Sequence, residues 1–249
     1  MVEEVTLSVI CDGHRLNGGV ATLPDPKGLA LLLHGIPSVN PSEPGDTGYP
    51  GLARTFAGRG WAGAWVDMRG VRGSGGTFTI EGWVRDARAA LDAARAIDGL
   101  SSLPTVIVGS SAGGAVAVEV ARRGAPVDGL VLLAAPAAWL SFAGAPKEAL
   151  HRITQEAGMA VAPEVLEDPQ DWADEFLAVT AEKAMRDVGV PVLVVHGSAD
   201  DVVPVDHARR IAEPSSNSEV RVLEGAGHQL RREPGAVDLV LDWLDRRFG

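Results

Sequence analysis

The chain has 249 residues, 46% of them hydrophobic and 22% charged, and a formal net charge of −11 at pH 7, which predicts one domain with a sizeable apolar core. The acidic balance argues against a nucleic-acid partner and mildly against acidic substrates, because phosphate binding depends on Lys and Arg. The single cysteine, Cys11, excludes an intramolecular disulfide and a Cys-rich zinc site. The N-terminus carries acids where a signal peptide needs basic residues, and no apolar run approaches the ~18 residues of a membrane span, so we expect a cytoplasmic protein with no membrane partner.

Short apolar runs alternate with helical patterns through most of the chain. The runs 5–10 and 15–23 predict two strands around a turn. Further strands are predicted at 28–34, 62–67, 105–109, 129–135, 190–196 and 219–225, and helices at 50–60, 80–98, 111–124, 205–213 and 235–248. Most of the strand runs are apolar throughout, as expected of a parallel sheet covered on both faces. The alternation predicts an α/β fold, with a doubly wound, mostly parallel sheet of about eight strands flanked by helices.

One long segment, 137–188, breaks this alternation. It contains four large aromatic residues, ten acidic residues and only four Lys or Arg. Because such sheets bind ligands at the carboxyl ends of their strands, we interpret it as a small helical cap, or lid, within a single domain, 1–249. A plain helix pair without substrate contact is the alternative. A second segment, 38–50, is a Pro/Gly/Ser-rich loop long enough to be functional.

The stretch GSSAGG, at 109–114, follows an apolar strand and opens a helix. Gly109, Ser111 and Gly113 fit the pattern G-x-S-x-G, in which a strained turn exposes a nucleophilic serine. Side chains in place of the flanking glycines would clash with neighbouring backbone. The start of the helix also supplies unpaired N–H groups that favour a developing oxyanion. The alternative is a tight turn with a serine N-cap.

A serine becomes an effective nucleophile only beside a base that an acid orients. Asp200 lies in the loop after one predicted strand, and His228 follows the last predicted strand. The chain order Ser, Asp, His is the one expected of hydrolases with this serine turn. We therefore predict that His228 accepts the proton of Ser111 and that Asp200 orients the imidazole.

With these residues in place, the sequence resembles the α/β-hydrolase superfamily over nearly the whole chain apart from 137–188. The matching stretches are LLLHGIP, GLARTFAGRGWAGAWVDMRGVRGSGG, VGSSAGG, VPVLVVHGSADDVVP and EGAGH. The resemblance implies an α/β-hydrolase fold and makes Asp200, rather than Asp201, the acid of the triad. It also implies that the backbone N–H groups of Ile36 and Ala112 form the oxyanion hole.

The histidines outside the predicted triad receive no catalytic role. The resemblance implies that His34 braces the oxyanion loop and that His196 is structural. His14, His151 and His207 have no partners at ligand spacing, so they are expected at the surface. No pattern of metal ligands stands out, and the predicted chemistry needs neither a metal nor another cofactor.

The sequence predicts a serine hydrolase that cleaves a carboxylic ester through an acyl-enzyme intermediate. Its expected partner is a small-molecule acyl substrate, small to medium, uncharged and partly apolar, with Tyr49, Trp139 and Trp172 as candidate pocket residues. A thioesterase, an amidase or aminopeptidase, a carbon–carbon bond hydrolase and a cofactor-free perhydrolase would all keep the triad. A non-catalytic small-molecule receptor, or a scaffold with a vestigial site, is the alternative from another class. The sequence leaves open whether the protein is a monomer or a homodimer.

Overall fold

The architecture is an open, mostly parallel sheet with helices on both faces. The computed structural model describes residues 1–37 and 45–249. Its described strands are β1 (Glu3–Thr6), β2 (Val9–Cys11), β3 (His14–Thr22), β4 (Gly28–Leu33), β5 (Trp61–Asp67), β6 (Thr105–Ser110), β7 (Gly129–Leu133), β8 (Val192–Gly197) and β9 (Ser218–Leu223). They lie in the order β1-β3-β5-β4-β6-β7-β8-β9, and β2 pairs with β3. The predicted α/β fold class is confirmed.

The strand directions bring the carboxyl ends of the later strands to one edge of the sheet. Strands β4 to β9 run parallel to one another, whereas β3 runs antiparallel to β1, β2 and β5. The segments that follow β6, β8 and β9 therefore all begin at the same edge. In open α/β sheets this is the edge at which ligands bind.

The first predicted strand, 5–10, is divided into β1 and β2 in the structure. The two strands keep one register against β3, with Thr6 opposite Gly19 and Val9 opposite Leu16. Between them, Leu7 still donates its N–H to the Gly18 carbonyl at 3.0 Å. The division is therefore local, and the hairpin that the sequence predicts is retained.

Long helices cover both faces of the sheet, and short ones fill the segment before β8. The described α-helices are α1 (Gly48–Gly58), α2 (Ile80–Arg95), α3 (Ala112–Arg122), α4 (Leu140–Gly144), α5 (Pro146–His151), α6 (Pro163–Glu167), α7 (Gln170–Ala178), α8 (Ala181–Ala184), α9 (Asp206–Ala212) and α10 (Pro234–Phe248). Helices α1 and α10 belong to the apolar core on one face, and α2, α3 and α9 belong to the core on the other. None of the helices in the described part of the chain has the length and apolar composition to cross a membrane.

The segment 137–188 is helical, and its helices are short. It runs from α4 through α8 and includes a π-helical turn at Arg152–Glu156. An aromatic cluster binds the segment together, with ring centroids 4.7–6.4 Å apart. Its members are Trp139, Phe142, Trp172 and Phe176. The cluster also packs on Phe78, which precedes α2, so the segment is attached to the rest of the protein by apolar contacts. That it acts as a cap over a substrate stays a prediction.

Candidate active site

Ser111 occupies a strained turn between β6 and α3. Its backbone has φ 51° and ψ −122°, a conformation that non-glycine residues rarely adopt. The glycines around it leave no room for a side chain. A Cβ on Gly109 would lie 2.3 Å from the Gly113 carbonyl oxygen, and a Cβ on Gly113 would lie 2.5 Å from the His34 carbonyl oxygen. The turn therefore forms only with glycine at these positions.

The structure brings Ser111, His228 and Asp200 into one hydrogen-bonded chain. His228 Nε2 lies 3.1 Å from Ser111 Oγ, and His228 Nδ1 lies 2.8 Å from Asp200 Oδ2. Asp200 follows β8 and His228 follows β9, so the parallel strands deliver both side chains to the edge at which β6 ends. The distances are those required of a nucleophile, its base and an orienting acid.

Asp200 is held as a buried, ionised carboxylate. Its side chain is 0% exposed, and Oδ1 accepts the N–H groups of Val202 and Val203 at 2.9 and 2.8 Å. Burial by itself would raise the pKa of Asp200, but the hydrogen bonds from Val203, His228 and Val202 outweigh burial and lower that pKa below its usual value. The neighbouring Asp201 is exposed instead and lines the cleft described below.

His34 connects the end of β5 to the loop that follows β4. Its Nε2 accepts the Met68 N–H at 2.9 Å and its Nδ1 lies 2.7 Å from the Gly35 carbonyl oxygen, which makes Nδ1 the protonated nitrogen. Burial lowers the pKa of His34 to about 4. Because both ring nitrogens are bonded to backbone groups, His34 suits a structural brace and has no free nitrogen with which to accept the proton of Ser111. His196 is also buried, with Nε2 2.9 Å from the Val203 carbonyl oxygen.

Ile36 and Ala112 lie on either side of Ser111, where the sequence predicts an oxyanion hole. The loop after β4 approaches so closely that a Cβ on Gly35 would lie 2.7 Å from Ser111 Cβ. Ile36 follows directly and shares both neighbouring cavities with Ser111. Ala112 is the first residue of α3, so its N–H is among those that the helix leaves unpaired. Their role as oxyanion donors stays a prediction.

A large cleft opens between Ser111 and the segment 137–188. Its volume is about 1020 Å³, at the upper end of the range for small-molecule sites and above what a small substrate requires. Its apolar walls include Ile36, Trp139, Phe142, Ile153 and Val203. The charged side chains in its lining are Arg152, Glu156, Asp201 and Arg210. The cleft therefore combines an apolar wall with as many cations as carboxylates.

A second, smaller pocket lies on the other side of Ser111. Its volume is about 90 Å³, and none of its lining residues belongs to 137–188. We call it the small pocket. Its lining residues are His34, Gly35, Ile36, Pro37, Tyr49, Arg72, Ser110, Ser111, His228, Gln229, Leu230, Arg231 and Arg232. Ser111 is thus flanked by two spaces of different size and chemistry.

The three predicted pocket residues occupy three different environments. Trp139 lines the cleft. Tyr49 lies in the small pocket instead, where its hydroxyl bonds to Ser110 and burial raises its pKa. Trp172 is 2% exposed and does not reach the cleft wall. Its prediction as a pocket residue was wrong, because the aromatic cluster uses this side chain as core. Of the functional loop predicted at 38–50, residues 38–44 lie outside the described part of the chain.

Sequence reasoning missed two polar contacts beside the site. His207, expected at the surface, is half-buried and accepts the Ala137 N–H at Nδ1, 2.9 Å away, so it attaches the start of 137–188 to α9. Burial lowers the pKa of His207. Arg231 binds Asp46 through two bonds of 2.7 Å across 185 positions of sequence. Neither pair follows a local pattern, so no sequence signal could have found them.

Known proteins resemble this chain in family and in fold. A family model described as "Serine aminopeptidase, S33" matches residues 24–175. A non-heme chloroperoxidase of Kitasatospora aureofaciens is 35% identical over 78 residues, a match that spans 31% of this chain and only 28% of that relative.

Solved structures are similar over almost their whole length. Est1E from Butyrivibrio proteoclasticus with bound ferulic acid has a TM-score of 0.72 at 20% identity and covers 96% of this chain and 98% of its own. The Pyrococcus furiosus esterase Pf2001 has a TM-score of 0.71 at 18% identity and covers 100% of this chain and 92% of its own. At such low identities these likenesses establish the fold.

Proposed function

The protein belongs to the serine aminopeptidase S33 family of α/β-hydrolases, whose family model spans more than half of the chain, and on that premise we propose that it hydrolyses a carboxylic ester through an acyl-enzyme on Ser111. The observation that carries the proposal is the pair of distances from His228 to Ser111 Oγ and Asp200 Oδ2, 3.1 and 2.8 Å. A serine at the start of a helix, beside a base that a buried carboxylate orients, is the arrangement that acyl transfer requires.

In this mechanism Ser111 Oγ attacks the ester carbonyl carbon while His228 Nε2 takes the hydroxyl proton. The N–H groups of Ile36 and Ala112 stabilise the resulting oxyanion. The carbon–oxygen bond to the alcohol then breaks, and His228 returns the proton to the departing alcohol. Water attacks the acyl-enzyme with His228 again as the base, which releases the acid and restores Ser111. Asp200 keeps the imidazole in the tautomer that presents Nε2 to the serine.

The lining of the cleft supports an ester through its apolar wall. Its charged side chains are Glu156, Asp201, Arg152 and Arg210, and Arg210 is itself bonded to Glu182 at 2.7 Å. The apolar wall formed by Trp139 and its neighbours suits the hydrocarbon part of an ester.

The first test combines fluorophosphonate labelling with p-nitrophenyl esters of increasing acyl length. We expect one adduct, on Ser111, and ester turnover. Ser111→Ala should remove the adduct and lower kcat/KM by at least about a thousandfold, because the three side chains act as a unit. Ser101→Ala, at an exposed loop serine, is the matched control and should change neither the adduct nor kcat/KM. A folded wild-type protein without adduct or turnover would refute the proposal and favour a non-catalytic receptor.

Asp200→Asn tests the orienting role of the carboxylate. The amide preserves the size of the side chain but favours the wrong imidazole tautomer, so we expect kcat to fall by about a thousandfold or more. Asp201→Asn, one residue away and exposed, should lower kcat by less than about tenfold. Steady-state kinetics with one p-nitrophenyl ester measures both variants. Equal losses would mean that Asp200 is not the acid that orients His228.

A further inference from the structure

The small pocket meets the cleft at Ser111 and His228 and leads away from the segment 137–188. A substrate whose carbonyl lies at Ser111 can therefore place one part in the cleft and another in the small pocket. At about 90 Å³ the small pocket holds only a short polar group. The part of the substrate that enters it is next to the scissile bond.

The charged side chains in the described lining of the small pocket are arginines, although the chain as a whole is acidic. Its lining contains Arg72, Arg231 and Arg232, and none of its described lining residues is Asp or Glu. The acids that pair with these arginines, Asp46 and Asp67, lie outside the lining. The guanidinium groups of Arg72 and Arg231 thus line the space, and the carboxylates that they bind do not, in a chain of net charge −11.

Arg72 and Arg231 are held in place by bonds that use only some of their donors. A guanidinium group has five N–H donors in a planar fork that matches a carboxylate. Arg231 gives two of them to Asp46 and stacks its guanidinium carbon 5.4 Å from the centre of the Tyr49 ring, and its side chain is 14% exposed. Arg72 gives one donor to Asp67 at 2.9 Å. In the described part of the chain no other hydrogen bond uses the remaining donors of Arg72 and Arg231, so a ligand can bind them.

The backbone of Arg72 supports a functional reading of this side chain. Its φ is 45°, a left-handed conformation that it shares with Ser111 and only two other non-glycine residues in the described part of the chain. Strained residues of this kind cluster at active sites, where the surrounding structure maintains them. Arg72 and Ser111 are the two of them that line the small pocket.

We infer that the small pocket is a subsite for a carboxylate, so that the preferred ester carries a carboxylate close to the scissile carbonyl while its apolar part occupies the cleft. This inference rests on the proposed ester hydrolysis. The carboxylate can belong to the acyl part, as in a monoester of a short dicarboxylic acid, or to the alcohol part, as in an ester of a hydroxy acid. The recognising chemistry is the same, a charge-assisted bond from arginine to carboxylate.

Paired substrates test the inference and distinguish the two orientations. The acyl pair is mono-p-nitrophenyl glutarate beside p-nitrophenyl pentanoate. The alcohol pair is O-butyryl glycolate beside 2-hydroxyethyl butyrate. Turnover of this pair is measured as released butyrate. Ser111→Ala supplies the rate of spontaneous hydrolysis for each. We expect kcat/KM at pH 7 to favour the anionic member of at least one pair by about tenfold or more.

Two further measurements assign that preference to the pocket. Arg72→Gln should reduce the preference about tenfold, whereas Arg88→Gln, an exposed arginine on α2, should leave it unchanged. Free glutarate should inhibit turnover of the neutral ester by the wild type more strongly than 1,5-pentanediol does, a readout that needs no variant.

Turnover without a preference for the anionic ester, or equal losses of kcat/KM on both members of a pair in Arg72→Gln, would overturn the subsite alone. Absence of turnover and of the Ser111 adduct would refute the proposed function, and the subsite with it.

Discussion

Gly109 shows at the scale of a single residue how backbone sterics produce the serine turn. A Cβ there would lie 2.3 Å from the Gly113 carbonyl oxygen. We expect Gly109→Ala to lower the free energy of unfolding by about 2 kcal/mol and to abolish fluorophosphonate labelling, because the backbone must shift at Ser111. Gly58→Ala is the control, since a Cβ there meets nothing within 4 Å at the end of α1. Urea unfolding and labelling measure both, and an unchanged labelling rate in Gly109→Ala would contradict the steric argument.

The residue scale is also where the sequence was most informative about the candidate site. The pattern G-x-S-x-G, and a carboxylate and a histidine after later strands, identified Ser111, Asp200 and His228 as candidates, and the structure places them within hydrogen-bond distance. The sequence did not identify the arginines that lie beside these three residues. No local pattern shows that Arg72 and Arg231 line a pocket with Ser111.

At the scale of elements, the aromatic cluster is what holds the segment 137–188 together. Phe176 on α7 is 0% exposed and packs 5.5 Å from Trp139, which lines the cleft. We expect Phe176→Ala to lower the free energy of unfolding by about 3 kcal/mol and to raise KM, because the cavity weakens the support of the cleft wall.

The adjacent residue supplies the control for that prediction. Leu177 is 47% exposed on the same helix, so Leu177→Ala should change the free energy of unfolding by less than about 0.5 kcal/mol. Urea unfolding and ester kinetics on both variants test the pair. Similar effects of the two substitutions would mean that the cluster does not stabilise the segment.

Element bounds were predictable because apolar periodicity is a local property. The central strands begin and end within two residues of the predicted positions, as β4, β6 and β7 show. The prediction failed for Trp172, where an aromatic residue on a helix could face either the cleft or the core. Only the packing of Phe142 and Phe176 against it resolves that choice.

At the scale of the whole molecule, the pair of Asp46 and Arg231 connects the start of α1 to the segment that follows His228. Asp46 also accepts the Gly48 N–H at 2.9 Å. The bonds from Arg231 hold the pKa of Asp46 well below its ordinary value of 3.8. A carboxyl group whose pKa is lowered by folding stabilises the folded state above the unfolded pKa, and this contribution is lost as the pH falls below about 4 towards the folded pKa.

Asp46→Asn should therefore cost stability in a pH-dependent manner. We expect the free energy of unfolding to fall by about 2 kcal/mol at pH 7, because charge-assisted bonds to Arg231 are lost, and the difference from wild type to shrink between pH 4 and pH 3. Urea unfolding across pH 7 to 3 measures it, with Asp25→Asn at an exposed site as the control. A difference that stays constant over this range would contradict the assignment.

The sequence by itself determined the α/β class, the approximate positions of the strands and helices, and which three residues to consider as nucleophile, base and acid. These follow from local periodicity and from residue types that must come directly after strands. Only the tertiary structure decided that His207 anchors the segment 137–188, that Trp172 belongs to the core, and that arginines gather beside Ser111. Such contacts join residues far apart in the chain, so they depend on how the elements pack, which no local pattern specifies.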